Sequence, residues 1–208
     1  MRRCDVWSYR GVYGITSADF GGTHVEAARM LLEGGVKIIQ YREKNASTRR
    51  MFEEASEIRK LCSEFGAVFI VNDRVDIALA VGADGVHLGQ DDLPLAAARR
   101  VFPHGIIGVS ARSVEEALAA EANGATYLGV GSVYPTNTKA DTKLIGEEGL
   151  RSILGRVSIP VYAIGGIKLE HLRKLKAYGV KGVAVVSAIL GDADPREAAK
   201  RFVSEWMG

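Results

Sequence analysis

The fold class this sequence predicts is a closed (β/α)8 or TIM barrel, an α/β fold in a single domain spanning residues 1–208, and three observations predict it. A sub-pattern of helical stretch, glycine and buried β run recurs at Gly34-Gly35-Val36-Lys37-Ile38-Ile39, Gly82-Ala83-Asp84-Gly85-Val86-His87, Gly124-Ala125-Thr126-Tyr127-Leu128 and Gly179-Val180-Lys181-Gly182-Val183. The copies return at intervals of roughly fifty residues, which marks an internal period. Between them lie further apolar runs at Val12 to Ile15, Val68 to Val71, Ile106 to Val109 and Val161 to Ile164, which brings the strands to eight. These runs are short and mainly apolar rather than strictly alternating, as parallel strands buried on both faces must be. At 208 residues the chain stands near the small end of that fold's range. An open doubly wound sheet is the alternative. It calls for a phosphate-binding glycine loop after its first strand, and Ile15-Thr16-Ser17-Ala18-Asp19 holds no G-x-G-x-x-G.

Helical stretches separate the strands. Val25 to Leu32, Thr48 to Phe65, Val114 to Ala122, Leu169 to Tyr178 and Pro195 to Trp206 each return apolar residues at helical spacing. The glycine that opens each copy of the sub-pattern fits the position just past a helix, where φ turns positive. Asp194 before Pro195 reads as an N-cap followed by proline at the first helical position.

With 47% hydrophobic residues and no low-complexity tract, the chain can bury a substantial core. Lys and Arg, 27 in all, nearly balance 25 Asp and Glu, which argues against nucleic acid and anionic membrane surfaces as partners. Cys4 and Cys62 form no C-x-x-C pair and suit a reducing compartment, with Cys62 on a helix in the core. The start, Met1-Arg2-Arg3-Cys4-Asp5, lacks the apolar segment of a signal peptide, and no run is long enough to span a bilayer. A cytoplasmic protein is expected. The oligomeric state stays open, a homo-oligomer included.

In a barrel the C-terminal strand ends share one face, so distant residues converge there. Gln40, Arg42 and Lys44 follow strand 2 at alternate positions, the spacing that points all three to one side with Ile38. Two cations on such a face are costly unless an anion shares it, and phosphate is the simplest candidate. The plain alternative is the solvated end of a strand. Asp73 follows strand 3 and Asp92 follows strand 4; as hard oxygen ligands from neighbouring strands they suit Mg²⁺, which takes one or two carboxylates and completes its shell with water and phosphate oxygens. Asp73 could instead cap a helix or pair with Arg74.

Gly165-Gly166 after strand 7 and the short Ser187-Ala188-Ile189 turn after strand 8 match the phosphate site common in such barrels. Thr136, Thr138 and Lys139 form a donor-rich loop behind Pro135 that reads as a second phosphate contact, or as plain surface. His24, His87, His104 and His171 show no metal-ligand spacing, and His87 is expected in a hydrogen-bonded structural role. No nucleophile elbow or Cys-His arrangement offers covalent catalysis.

These residues resemble the thiamine-phosphate synthase family across essentially the whole chain. The resemblance is carried by Q-Y-R-E-K at Gln40 to Lys44, N-D at Asn72-Asp73, D-G-V-H-L-G-Q-D-D at Asp84 to Asp92, and G-V-S at Gly108 to Ser110. P-T-N-T-K at Pro135 to Lys139, I-G-G-I at Ile164 to Ile167 and V-S-A-I at Val186 to Ile189 complete the set. It implies a TIM barrel that joins 4-amino-2-methyl-5-(diphosphooxymethyl)pyrimidine to 4-methyl-5-(2-phosphooxyethyl)thiazole, releasing pyrophosphate. By motif match, Gln40, Tyr41, Arg42, Glu43, Lys44, Asn72, Ser110 and Lys139 hold the pyrimidine diphosphate, and Asp73 and Asp92 hold Mg²⁺. Thr136, Asn137, Thr138, Gly166, Val186 and Ser187 hold the thiazole phosphate. Arg42, Lys44, Ser110 and Lys139 form the expected catalytic set. Tyr41 stands where a smaller apolar residue is expected, and since its neighbours point the other way it bears on helix packing more than on substrate. Two rival readings remain, a thiazole tautomerase of the same superfamily, which carries a histidine where this chain has Ser132, and a non-catalytic phosphate-metabolite sensor.

Overall fold

A computed structural model of the chain describes residues 10–20, 22–136 and 143–208. Eight parallel strands close into one barrel in sequence order: β1 Gly11–Ile15, β2 Ile38–Tyr41, β3 Val68–Asn72, β4 Gly85–Leu88, β5 Ile106–Ala111, β6 Tyr127–Val130, β7 Val161–Ile164 and β8 Gly182–Val185. The last strand pairs with the first, Val183 opposite Val12. Outside them run α1 His24–Glu33, α2 Thr48–Glu64, α3 Val75–Ala80, α4 Leu95–Val101, α5 Val114–Ala122, α6 Gly146–Leu154, α7 Leu172–Ala177, the single turn α8 Ser187–Leu190, and α9 Pro195–Met207.

The period of two along each strand divides the core into two layers. Tyr13 and Ile15 of β1, Ile38 of β2, and Val68 and Ile70 of β3 pack inside the barrel. Their neighbours Val12, Ile39, Phe69 and Val71 face the helices. The inner layer holds three tyrosine rings, Tyr13, Tyr127 and Tyr162, edge to face with centroids 5.5 to 6.0 Å apart, the geometry that aromatic quadrupoles favour. Gly108 lies beside Tyr127 in the β5–β6 register, and a Cβ there would stand 2.1 Å from Tyr127 Cζ. The glycine cedes its volume to the ring.

Local signals explain where the helices begin and end. Thr23 and Glu26 form a reciprocal capping box on α1, and Ser47, Ser113 and Asp194 accept from backbone N–H groups at the starts of α2, α5 and α9. Of the glycines that open the copies, Gly82 at 62°, Gly124 at 86° and Gly179 at 90° carry the expected positive φ, whereas Gly34 caps α1 in the helical region at −76° and the turn falls one residue later, on Gly35 at 91°. Cys62 is buried on α2, where burial pushes its thiol up to about 12. Three helices escape periodicity. α3 has six residues and does not complete two turns, α4 is one residue longer, and α6 carries Gly146 and Gly149 in its first half. The stretch expected as one helix over 169–178 is a 3-10 turn, Leu169–His171, followed by α7. Among the described residues no helix is long and apolar enough to cross a membrane.

Candidate active site

The C-terminal strand ends open into one shared cavity. Arg42 after β2, Ser110 in β5, Thr136 after β6, Gly166 after β7, and Val186 and Ser187 at the end of β8 all line it. Residues separated by more than a hundred positions thus share one space, because closure of the barrel brings every strand end to one rim.

β2 ends at Tyr41, so the alternation that aims Gln40 and Arg42 inward does not extend to Lys44. Gln40 is buried and donates to the Tyr13 hydroxyl at 2.7 Å. Arg42 is half-buried on the cavity wall, and no acidic side chain pairs with it among the described residues. Leaving a guanidinium partly desolvated and unpaired is costly, which favours an arriving anion. Lys44, in the loop, reaches across to the carboxylate of Asp73 instead.

Tyr41 and Glu43 turn away from the cavity. The Tyr41 hydroxyl donates to Glu54 Oε2 of α2 at 2.8 Å and its ring meets His24 edge-on at 5.0 Å, so its place is in the helix layer. Glu43 accepts from the backbone N–H groups of Asn45 and Ala46 and meets His24 Nε2 at 3.1 Å. Burial pushes the Glu43 carboxyl up, but these partners outweigh it and hold the group below the usual carboxylate range. The other ring nitrogen, His24 Nδ1, bonds Thr16 Oγ1 at 2.8 Å, and Thr16 Oγ1 accepts from Arg42 N at 3.3 Å. This clamp ties the loop bearing Arg42 and Lys44 to the end of β1. His24, Glu43 and Glu54 bring ligand-type atoms within 4.8 Å of one another, yet each is engaged by Thr16, Tyr41, Arg50 or the loop backbone, so the cluster serves as a brace.

Asp73 and Asp92 do meet. Asp73 holds φ 61° at the end of β3, the one positive φ among described non-glycine residues, a backbone cost of the kind that clusters at functional sites. It caps no helix: the cap of α3 is Arg74, whose guanidinium pairs with Asp76. Asp92 Oδ2 accepts from Gly89 N at 2.6 Å. Its carboxyl is held above the ordinary value, first by removal from water and then by the facing Asp73 carboxylate. Two carboxylates that resist sharing negative charge, beside one lysine, form a donor set suited to a hard cation.

Asn72 is buried at the end of β3, opposite His87 in register. His87 bonds the Tyr127 hydroxyl through Nδ1 at 3.0 Å and Ser110 Oγ through Nε2 at 2.9 Å, the structural role its sequence context suggests. Gln90 donates to the Ser110 carbonyl at 2.6 Å and steadies that strand end.

Asn137, Thr138 and Lys139 lie outside the described residues. The base of their loop is tied shut: the Tyr134 hydroxyl donates to Glu147 Oε1 at 2.7 Å and the Tyr178 hydroxyl to Oε2 at 2.8 Å, while Lys174 pairs with the same carboxylate at 2.7 Å. Lys174 first, then the two tyrosines, lower the Glu147 carboxyl from 4.5 to about 2. A depressed native value contributes stability that is full above 4.5 and disappears as the pH falls toward 2. The thermal midpoint of the wild type should therefore exceed that of Glu147→Gln at neutral pH, with the gap narrowing between pH 4.5 and 2. A gap independent of pH in that range would refute the ionic account.

Gly166 has φ 61°, and a Cβ there would stand 2.3 Å from the Pro135 carbonyl oxygen. Ser132 is a buried part of the cavity wall and donates to the Tyr134 carbonyl at 2.6 Å. No histidine is among the described residues that line the cavity. Among the polar lining residues, Thr16, Ser17 and Arg112 escaped the sequence reading. Thr16 continues β1 past its apolar run, and Arg112 repeats the period of two from Ser110, so alternation carried one step further along β5 finds it.

A thiamine monophosphate synthase family model matches residues 12–189. The chain belongs to the thiamine monophosphate synthase family. It is 54% identical over 198 residues to the thiamine-phosphate synthase of Caldivirga maquilingensis, covering 95% of this chain and 97% of that protein. It is 53% identical over 196 residues to the thiamine-phosphate synthase of Archaeoglobus fulgidus, with 94% and 92% covered. Its barrel superposes on the thiamine phosphate pyrophosphorylase from Pyrococcus furiosus with a TM-score of 0.90 at 47% identity, covering 97% of this chain and 99% of that one. The enzymes of this family are transferases.

Proposed function

We infer that this chain, acting as one barrel domain, transfers the pyrimidine methylene of the diphosphate substrate to the ring nitrogen of the thiazole phosphate, with release of pyrophosphate and thiamine phosphate. The observation that carries the reading is the convergence of Arg42 and Ser110 with Gly166, Val186 and Ser187 in one cavity. These are the residues that motif matching assigns to two different substrates. The carbon–oxygen bond to the diphosphate breaks, its electron pair leaves on pyrophosphate, and the thiazole nitrogen closes a new carbon–nitrogen bond at the same methylene. No proton moves, which agrees with a cavity wall that holds no histidine among its described residues.

Arg42 meets the charge that grows on the departing group, in a site where fixed dipoles and charges need no reorganisation. Lys44, Lys139 and Ser110 act in the same set. Asp73 and Asp92 are the residues to hold Mg²⁺, which supplies charge neutralisation at the diphosphate when bound. Gly166 and Ser187 cradle the thiazole phosphate, to which motif matching also assigns Thr136, Asn137 and Thr138. Holding two substrates in line is worth roughly 7 to 11 kcal/mol of barrier.

The decisive test mixes purified protein with both substrates and Mg²⁺ and follows pyrophosphate and thiamine phosphate together. Equimolar appearance of both products, with no pyrophosphate when the thiazole phosphate is omitted, is the expected result. Tight binding of the thiazole phosphate without any product would favour the sensor, and isomerisation of the thiazole alone the tautomerase.

A further inference from the structure

Five buried or half-buried side chains on five strands form one continuous hydrogen-bonded line through the barrel. Gln40 Nε2 donates to the Tyr13 hydroxyl at 2.7 Å. Tyr13 meets the Tyr127 hydroxyl at 2.8 Å, Tyr127 meets His87 Nδ1 at 3.0 Å, and His87 Nε2 meets Ser110 Oγ at 2.9 Å on the cavity wall. Each hydroxyl owns one proton. Tyr13 accepts from the Gln40 amide nitrogen, which can only donate, so its own proton is free to go to Tyr127. Along this line Tyr127 then accepts from Tyr13 and meets His87 Nδ1 at 3.0 Å as the acceptor for its own proton. In this sense of the line that nitrogen is bare, which places the imidazole proton on Nε2 and directs it at Ser110. Ser110 has accepted, and its proton points outward.

We propose that this line is polarised from Gln40 to Ser110, holding His87 as the neutral Nε2–H tautomer and fixing the Ser110 hydroxyl as a hydrogen-bond donor to a substrate acceptor atom. Tyr13, Tyr127 and His87 are positioning residues, since none of them lines the cavity among the described residues. Burial pushes both phenols above their ordinary value, so each keeps the proton the line requires. The reversed line would need Gln40 to accept, His87 to carry its proton on Nδ1, and Ser110 to offer only lone pairs. An imidazolium would put two donors onto Tyr127 and leave its own proton displaced. A low dielectric makes such a mismatch costly, and a buried line has one sense at a time. The consequence is chemical selectivity: a ligand edge that presents a bare ring nitrogen or another acceptor to Ser110 is welcomed, and one that presents an N–H is not.

The consequence for substrate rests on the function proposed above; the tautomer does not, and it can be measured without turnover. Histidine labelled with ¹⁵N in the intact, ligand-free protein should show His87 with a protonated Nε2 and a bare Nδ1 at neutral pH, its signals identified by their loss in His87→Gln. A Nδ1–H tautomer, an imidazolium or an even mixture would overturn the proposal. Tyr127→Phe keeps the ring but removes the proton that directs Nδ1, and should turn the pure tautomer into a mixture and weaken pyrimidine diphosphate binding roughly three- to tenfold. An unchanged, pure Nε2–H tautomer in Tyr127→Phe would show that the line does not set it. If that variant does not fold, Tyr13→Phe removes the preceding link, and the same shift toward a mixture is required of it.

Discussion

Asp92→Asn should lower turnover about a hundredfold or more while leaving the barrel intact. Asparagine keeps an oxygen to accept from Gly89 N, the 2.6 Å bond that Asp92 makes now, so the loop after β4 retains its anchor. What it loses is one of two facing negative charges. In the absence of a cation that pair is mutually unfavourable, which is why Asp92 is held above the ordinary carboxylate value by removal from water and by Asp73. The variant should therefore melt no lower than the wild type without metal. Added Mg²⁺ should raise the melting point of the wild type and hardly that of the variant, since only a ligand bound to the native state stabilises it. Full turnover by the wild type in excess EDTA, or by Asp92→Asn with Mg²⁺, would remove the metal from this account.

Gly166→Val should abolish measurable affinity for the thiazole phosphate and spare the pyrimidine diphosphate. At φ 61° a β-branched residue is held in a conformation that costs on the order of 1–2 kcal/mol. The larger effect is steric, because its Cβ would meet the Pro135 carbonyl oxygen at 2.3 Å and the Tyr134 carbonyl oxygen at 2.8 Å. Those are backbone atoms, and the turn after β7 has to move away from them. The phosphate site moves with it, while Gln40 and Arg42 stand on β2 and the loop behind it. Calorimetric titration of each ligand into folded Gly166→Val and Gly166→Ala proteins decides the matter. Equal losses for both ligands, or an unchanged thiazole phosphate affinity, would mean that the two phosphate regions are not separable.

Much of this site was legible because a parallel barrel translates sequence position into place. Gln40, Ser110 and Gly166 each follow an apolar run, and any such position falls on the same rim. Lys44 was read as a third inward side chain, and the early end of β2 at Tyr41 sent it to Asp73 instead. Motif matching put Tyr41 and Glu43 among the substrate contacts, whereas their hydrogen bonds to Glu54, His24 and the loop backbone place them behind the strand. A motif records which residues travel together and is silent on which of them support the others.

The fold class and the order of its strands were determined by the sequence alone, through glycines that end helices, apolar runs that return at a regular period, and a first strand end with no phosphate-binding glycine loop. So were the chemistry of the rim, cations at Arg42 and Lys44, carboxylates at Asp73 and Asp92, and the glycine turn at Gly166, because residue type and distance from a strand end suffice to state them. Only the tertiary structure decided which of these groups face one another. The paired carboxylates are one such case, and the His24 clamp and the line from Gln40 to Ser110 join side chains as far as 114 residues apart by contacts of about 3 Å. Hydrogen bonds are sensitive to fractions of an ångström and to the direction of a proton. No spacing along the chain encodes that, and it is settled only when closure of the barrel fixes every strand against its neighbours.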